Sequence, residues 1–166
     1  FQVGSLYMNR GEVTENISYD NDTYVTGERA TWRPAKGRLT QLSVITGYYG
    51  EYREPNFFER ADRLGDWNYG QVLAGFRVAS RVQASVDYTY EDGRDILREG
   101  VTVRMPEKTK LLTSVKVESY QRLENENGLL LNEAGAGFNV AGDLRIQKLT
   151  VTAGVMSVDK YYGPYN

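Results

Sequence analysis

Side chains able to perform acid–base or nucleophilic chemistry are scarce in this sequence of 166 residues, which contains no Cys and no His. Without Cys there is no disulfide, thiolate metal site or thiol nucleophile. Without His the commonest general base and metal ligand is missing, and no Ser has a visible base partner for nucleophilic catalysis. We therefore predict that the chain has no catalytic residue, no metal site and no cofactor, and that it is not an enzyme.

Charged side chains are the remaining candidates for chemistry, and a set of them alternates with apolar residues along the chain. These candidates are Arg77, Asp87, Arg98, Arg104, Lys116, Glu118, Glu133 and Lys148. Acidic clusters at residues 20–22 and 91–95 lack the spacing of a calcium-binding loop, so we interpret them as solvated charges. The balance of 20 basic against 22 acidic residues argues against a nucleic-acid partner, which usually requires a basic surface.

The elements that carry these charges are predicted to be β-strands, because apolar and polar residues alternate with a period of two. In residues 82–91, for example, Val86 and Tyr88 alternate with Asp87 and Thr89. No segment approaches the ~20 consecutive apolar residues of a transmembrane helix. Strands are predicted at about residues 1–8, 23–33, 39–52, 69–78, 82–91, 96–105, 110–121, 130–140 and 144–158.

The predicted connections alternate in length, which is typical of an up-and-down β-barrel. Short turns are predicted at residues 34–38, 79–81, 106–109 and 141–143. Longer, charged links are predicted at residues 9–22, 53–67, 91–95 and 122–128. We therefore predict an all-β, antiparallel up-and-down transmembrane barrel with about eight or nine strands in this chain, forming a single domain over residues 1–166 or part of one.

The distribution of polar and aromatic residues favours a barrel in a membrane over a barrel in water. The polar face consists mainly of Gly, Ser, Thr, Gln and Asn, whereas a face in bulk water usually carries more Lys and Glu. The apolar face is almost free of charge, with Glu28 as the exception if Ala30 and Trp32 face lipid. Aromatic residues concentrate near strand ends, as they do at bilayer interfaces. This predicted girdle comprises Trp32, Tyr48, Tyr49, Tyr52, Trp67, Tyr69, Tyr88, Tyr90, Tyr120 and Tyr161.

In combination, the alternating strands, short turns, charged links and aromatic girdle resemble outer-membrane β-barrel proteins of the porin-like class. The resemblance covers nearly the whole chain but includes no family-specific motif. It implies a transmembrane β-barrel located in the bacterial outer membrane, with the lipid bilayer as its partner. It carries over no functional residue.

Three functions remain open from the sequence. A porin-like channel or conduit would use the polar face to line an aqueous or protein-filled lumen, where the candidate charges set ion or solute preference. A small closed barrel would pair the same charges as a structural plug and act as an anchor, or bind other molecules through its long loops. A soluble lipocalin-like barrel would bind an apolar ligand inside. Because both signs of charge occur in similar numbers, we expect no strong ion selectivity.

The predicted strand count also bears on whether the barrel is complete. The last predicted strand ends on the side of the long links, and an odd strand count in one chain is rare among bacterial barrels. We therefore expect this chain to be a segment of a larger barrel. Further strands, a plug or a partner subunit would then complete the structure.

Overall fold

The computed structural model describes residues 1–13, 25–49, 67–91, 93–109, 111–126, 129–131 and 135–158. These ranges consist of strands and turns, and none of them contains a helix long and apolar enough to cross a membrane. The strands are β1 (Gln2–Leu6), β2 (Val25–Trp32), β3 (Leu39–Tyr49), β4 (Tyr69–Ala79), β5 (Val82–Glu91), β6 (Arg94–Arg104), β7 (Leu112–Glu126), β8 (Leu129–Leu131), β9 (Ala136–Ile146) and β10 (Leu149–Val158).

Nine of these strands form one antiparallel sheet, in which β1 to β7 pair in sequence order and are followed by β9 and β10. The short β8 lies outside this order and pairs with the end of β7. Within the described residues the sheet is open, because β1 and β10 each pair with one neighbour. The predicted all-β, up-and-down antiparallel arrangement is therefore confirmed, whereas closure into a barrel and insertion into a membrane stay predictions.

The connections between the strands fall at two opposite ends of the sheet. The short-turn end carries the β2–β3, β4–β5, β6–β7 and β9–β10 connections, and the long-connection end carries the others. Turns predicted at residues 34–38, 79–81 and 106–109 lie at the short-turn end. The β2–β3 turn contains Gly37 at a φ of 106°, a conformation that favours glycine.

The last hairpin turns later in the sequence than predicted. We predicted a turn at residues 141–143, but β9 continues through them to Ile146 and the turn is formed by Gln147 and Lys148. Gln147 adopts a φ of 56°, as the favoured two-residue hairpin loops require. The Ala-Gly-Asp sequence resembles a turn, but each of its residues has a ladder partner on both neighbouring strands. Lys148, predicted on a strand face, therefore lies in a turn.

Two connections at the other end are shorter than predicted. Residues 91–95 were expected to form a link, but Glu91 pairs with Arg94, which leaves only residues 92–93 between β5 and β6. Residues 122–128 were also expected to form a link, yet β7 continues to Glu126. The high charge of both segments indicated loops. Backbone hydrogen bonding between neighbouring strands does not depend on side-chain polarity, so the ladders extend into charged sequence.

The two faces of the sheet have the opposite character to those of a sheet in a water-soluble protein. One face, which we call the polar face, buries hydrophilic side chains: Ser43, Gln71, Ser85, Asp87, Thr89, Arg98, Thr102, Ser114, Glu118 and Asn139. The other, the apolar face, exposes hydrophobic side chains: Leu42, Val44, Val72, Phe76, Val101, Val117, Phe138, Val140, Val151 and Val155. The two-residue alternation of each strand separates the two sets.

Most of the buried apolar side chains in the described residues form two small clusters on the polar side of the sheet. The first consists of Leu6, Val25, Ile45 and Tyr69, with Met8 packed against it. The second consists of Val13, Ile96 and Tyr120, with Val158 packed against it. Most of the hydrophobic surface of the sheet is therefore outside these clusters, on the apolar face.

Two residues of the predicted aromatic girdle are located differently from the prediction. Tyr69 and Tyr120 are both fully buried on the polar face, so their assignment to an exposed girdle was wrong. Each of them lies two residues from a polar-face position on its own strand, and alternation fixes its direction. Their ladder partners are Gly47 and Gly137.

The other described aromatic residues of that set lie at the surface of the sheet. Trp32, Trp67, Tyr88 and Tyr90 are exposed, and Tyr48 is half-buried. The side chain of Tyr49, together with Tyr52 and Tyr161, lies outside the described residues. The exposed members lie at both ends of the sheet, because Trp32 ends β2 at the short-turn end and Tyr90 lies close to the other.

Candidate functional site

Two of the predicted charges face each other across neighbouring strands in the middle of the polar face. Asp87 on β5 is the ladder partner of Arg98 on β6. The Arg98 Nη2 atom is 3.0 Å from the Asp87 Oδ1 atom, and the Nε atom is 3.3 Å from it. The exposed fractions of these side chains are 0% and 1%. Burial of this ion pair is tolerated only if further hydrogen bonds compensate for the lost hydration.

Neighbouring side chains supply those hydrogen bonds. The Thr89 hydroxyl donates to Asp87 Oδ1 at 2.7 Å, and the Gln71 side-chain amide donates to Oδ2. Arg98 donates a further hydrogen bond to the Thr89 hydroxyl. Gln71, Asp87, Thr89 and Arg98 thus form one buried charge network across β4, β5 and β6. Hydrogen bonds shared among these side chains hold them in one arrangement.

A second buried carboxylate lies two strands further along the same face. Glu118 on β7 accepts a hydrogen bond from the Tyr120 hydroxyl of its own strand. The Asn139 side-chain amide on β9 is 3.5 Å from the same Glu118 Oε2 atom. Glu118 is 1% exposed and Asn139 is 5% exposed. The buried part of the polar face therefore extends from β4 to β9.

Residues 9–13, which we call the inner segment, lie against this buried part of the polar face. Residues 9–22 were predicted to form a long link, and the described residues 9–13 do lie in the connection between β1 and β2. The sequence did not predict that they would lie on the polar face. Gln71 and the Asn9 backbone exchange two hydrogen bonds, of 3.1 and 2.8 Å, and the Asn9 side chain donates to Ser43 at 2.5 Å. The Glu12 amide donates to the Ser85 hydroxyl at 2.8 Å. The inner segment therefore crosses β3, β4 and β5 in turn.

Glycine makes the close approach of the inner segment possible at two positions. Gly11 adopts a φ of 58° in a turn closed by a hydrogen bond from the Val13 amide to the Arg10 carbonyl. At Gly100 on β6, an added Cβ would lie 3.0 Å from the Glu12 carbonyl carbon and from a Val13 methyl group. Because Gly100 has no side chain, the surface of the sheet has a depression there, and the inner segment packs into it.

Other predicted charges lie nearer the short-turn end, where the polar face is open to solvent. Arg77 and Arg104 are exposed, and Lys116 is half-buried. Arg104 donates a hydrogen bond of 2.9 Å to Gln83. Lys148 is exposed in the β9–β10 turn, and Glu133 lies outside the described residues. The structure therefore separates the predicted charges into a buried group that contains Asp87, Arg98 and Glu118 and an exposed basic group.

Among the described residues, the apolar face contains three carboxylates, Glu28, Asp95 and Glu99, and each accepts a hydrogen bond from a hydroxyl on the neighbouring strand. Glu28 accepts from Thr46 at 3.3 Å, and Glu99 accepts from Ser119 at 2.9 Å. Both are exposed. In the sequence Glu28 was a conditional exception to the charge-free face, and the alternation that exposes Trp32 places Glu28 on that face.

The inner segment and Gln71 are the components of this site that the sequence did not predict. Period-two alternation identifies which face a strand residue occupies, but it contains no information about an irregular segment that crosses the strands. Gly11 is the one local signal, since glycine favours turns with a positive φ. In the described ranges there is no group of three or more Asp, Glu, His or Cys side chains that could hold a metal ion.

Comparison of this chain with family models, with curated proteins and with solved structures finds no match. The geometry of the polar face is therefore the basis for the function proposed next.

Proposed function

We propose that this chain forms part of a transmembrane β-barrel of the bacterial outer membrane, in which the polar face lines a lumen that serves as a channel or conduit. One observation carries the proposal: the apolar face is exposed from β2 to β10, while Asp87, Arg98 and Glu118 on the opposite face are at most 1% exposed. A lipid bilayer matches that distribution, because it solvates the apolar side chains and excludes the charged ones.

The size of the exposed hydrophobic surface supports the same proposal. Val72, Val117 and Phe138 are 46%, 48% and 50% exposed, and exposed hydrophobic side chains also occur on β2, β3, β5, β6 and β10. Soluble monomers rarely expose a continuous apolar patch of more than a few hundred Å². The apolar side chains lie on the exposed face, so this arrangement gives no support to a soluble barrel that binds an apolar ligand inside.

The open edges of the sheet favour a barrel larger than the described strands. In a nine-stranded up-and-down sheet the first and last strands run parallel, so β1 and β10 cannot close it by an antiparallel ladder. Within a bilayer an open edge leaves backbone groups without hydrogen-bond partners. Closure by an odd number of further antiparallel strands would satisfy both edges.

The second candidate function is a structural or binding barrel whose interior is filled. The inner segment and the buried charge network favour it, because they occupy the polar face between β3 and β7. In that case the charges stabilise the interior and nothing passes through it. Function would then be carried by the connections at the long-connection end.

Membrane insertion is tested first by the dependence of the purified protein on detergent. We expect the chain to be monodisperse in detergent or lipid nanodiscs and to aggregate when the detergent is removed. Conductance across a planar bilayer then distinguishes the two candidates. Discrete steps in conductance support the conduit, and a bilayer whose conductance does not change supports the filled barrel. A chain that stays monodisperse in buffer without detergent would show that the membrane assignment is wrong.

Two substitutions at adjacent residues on opposite faces test which face of the sheet contacts lipid. Val117→Arg places a cation on the exposed apolar face and is expected to lower the free energy of unfolding in lipid vesicles by up to about 4 kcal/mol, depending on its depth. Lys116→Arg, the matched control on the polar face, keeps the existing charge. It is expected to change the free energy of unfolding by less than about 0.5 kcal/mol. Equal effects of the two variants would contradict the assignment of the faces.

A further inference from the structure

The short-turn end of the sheet carries charge of predominantly one sign. Within the described residues, this end comprises the four short turns and the last polar-face positions before them. Its carboxylates are Glu107 and Asp143. Its cations, which we call the basic rim, are Arg33, Lys36, Arg38, Arg77, Arg81, Arg104, Lys108, Lys116, Arg145 and Lys148. The near-neutral charge of the whole chain therefore conceals a strongly positive end.

A cavity of about 640 Å³ lies in the basic rim between the β4–β5 and β6–β7 turns. Its lining includes the cations Arg81, Arg104 and Lys108, together with Met105, Pro106 and Glu107. This volume is in the range of small-molecule sites. Three cations against a single carboxylate give its lining a net positive charge.

Backbone hydrogen bonds hold the two turns around this cavity. The Arg104 amide donates to the Arg81 carbonyl at 2.8 Å, which ties one turn to the other. The Thr109 amide donates to the Pro106 carbonyl at 2.8 Å and closes the β6–β7 turn. The cationic side chains of the lining are therefore carried on a fixed backbone, which reduces the entropy lost when a ligand binds.

The cations of the cavity are available to a ligand. Among the described residues, no ion pair joins Arg81, Arg104 or Lys108 to a carboxylate within 4.0 Å. Asp143, the other carboxylate at this end, accepts hydrogen bonds from two hydroxyls. Among the described residues, Arg104 donates a side-chain hydrogen bond to the neutral Gln83 and to no carboxylate, so no anion compensates its charge. Guanidinium groups bind phosphate and carboxylate oxygens through paired hydrogen bonds.

We propose that the cavity lined by Arg81, Arg104 and Lys108 is a binding site for an anion that bears several phosphate groups. The proposal goes beyond the conduit function and does not depend on it, because it stands on the geometry of one end of the sheet. Such phosphate groups can belong to a soluble polyphosphorylated molecule or to the headgroup of an anionic lipid. Both sources present the same oxygens to the same cations.

The test is a calorimetric titration of the full chain, in zwitterionic detergent at low salt, with sodium tripolyphosphate. We expect saturable binding to one site, and we expect the triple variant Arg81→Gln, Arg104→Gln, Lys108→Gln to weaken it by about tenfold or more, because it removes every cation of the lining. The matched control Arg33→Gln, Lys36→Gln, Arg38→Gln removes the same charge from another turn of the rim. It is expected to weaken binding by less than about threefold, through long-range attraction alone.

Three outcomes decide the proposal. A large loss in the cavity variant with a small loss in the control supports the site. Equal losses in the two variants, or no saturable binding by the unmodified chain, overturn it. If the protein proves soluble without detergent, the same titration in buffer judges the anion site independently of the membrane assignment.

Lipid composition then identifies the source of the phosphate. The titration is repeated in nanodiscs of phosphatidylcholine and in nanodiscs that contain phosphatidylglycerol. Weaker tripolyphosphate binding in the anionic discs for the unmodified chain, but not for the cavity variant, supports the site and assigns it to a lipid headgroup. Equal binding in both discs supports the site and assigns it to a soluble anion.

Discussion

The two halves of the polar face share the same strands and the same alternation, yet they treat charge in opposite ways. Toward the long-connection end, Asp87, Arg98 and Glu118 are buried and hydrogen-bonded to neighbouring side chains. Toward the short-turn end, Arg77 and Arg104 are exposed and no described carboxylate forms an ion pair with them. In the first half the charges stabilise a buried interior, whereas in the second half the cations are exposed and can contact a ligand.

Burial explains why the two halves need different arrangements. A charge removed from water costs several kcal/mol unless a partner and further hydrogen bonds compensate for it, so the buried half contains both signs. An exposed charge stays hydrated, and salt screens its repulsion from its neighbours over about 10 Å. The basic rim can therefore accumulate cations at little cost to folding.

The largest effect is expected from breaking the buried ion pair. Arg98→Met leaves the Asp87 carboxylate buried without its cation, and we expect the free energy of unfolding to fall by about 3–5 kcal/mol. The measurement is denaturant unfolding in detergent or vesicles, followed by tryptophan fluorescence.

The control for this prediction replaces both charges. The double variant Asp87→Leu, Arg98→Met is expected to recover most of the lost stability, because no uncompensated charge is left in the interior. A loss of less than about 1 kcal/mol for Arg98→Met alone would mean that water reaches the pair, and the contrast between the two halves would disappear.

A smaller effect is expected where the inner segment touches the sheet. Gly100→Ala adds a methyl group 3.0 Å from the Glu12 carbonyl carbon, so the segment has to shift. We expect a loss of about 1–2 kcal/mol, in the range of mild overpacking. Gly70→Ala on β4 is the matched control, since an added Cβ there meets nothing within 4 Å.

The same pair of glycine variants tests whether the inner segment obstructs a lumen. If the chain forms a conduit, the displaced segment in Gly100→Ala is expected to change single-channel conductance, while Gly70→Ala leaves it unaltered. Equal stability of the two glycine variants would show that the inner segment does not rest on Gly100.

The sequence was sufficient to predict the strands and their faces, because a half-buried strand repeats every two residues whatever its neighbours are. Val86 and Asp87 are therefore on the faces that the alternation predicts. The positions of the hairpin turns were harder to predict. Gly142 favours a turn by its residue type, but its pairing with β7 and β10 places it within β9. Turn preference is a local property, and tertiary pairing overrides it.

The candidate site was predictable only in part. Asp87 and Arg98 were both assigned to the polar face, but their pairing depends on the register of β5 against β6, in which Glu91 is opposite Arg94. The expectation of no strong selectivity came from counting the positive and negative residues among the candidate inward-facing charges. A count of charges does not include the position of each charge along its strand. That position distinguishes the basic rim from the buried network.

The smallest effect on stability is expected at the basic rim. Arg77→Gln and Arg145→Gln each remove an exposed cation without an ion pair, so we expect the free energy of unfolding to change by less than about 0.5 kcal/mol. In a conducting chain the same variants are expected to shift the reversal potential in a salt gradient toward cation preference, because they remove positive charge from one mouth of the lumen. A shift in selectivity without loss of stability is the opposite of the outcome expected for Arg98→Met. If the Arg77 and Arg145 variants instead unfold as readily as Arg98→Met, these cations are part of the folded interior, and the division of the polar face into a structural half and a ligand-accessible half is wrong.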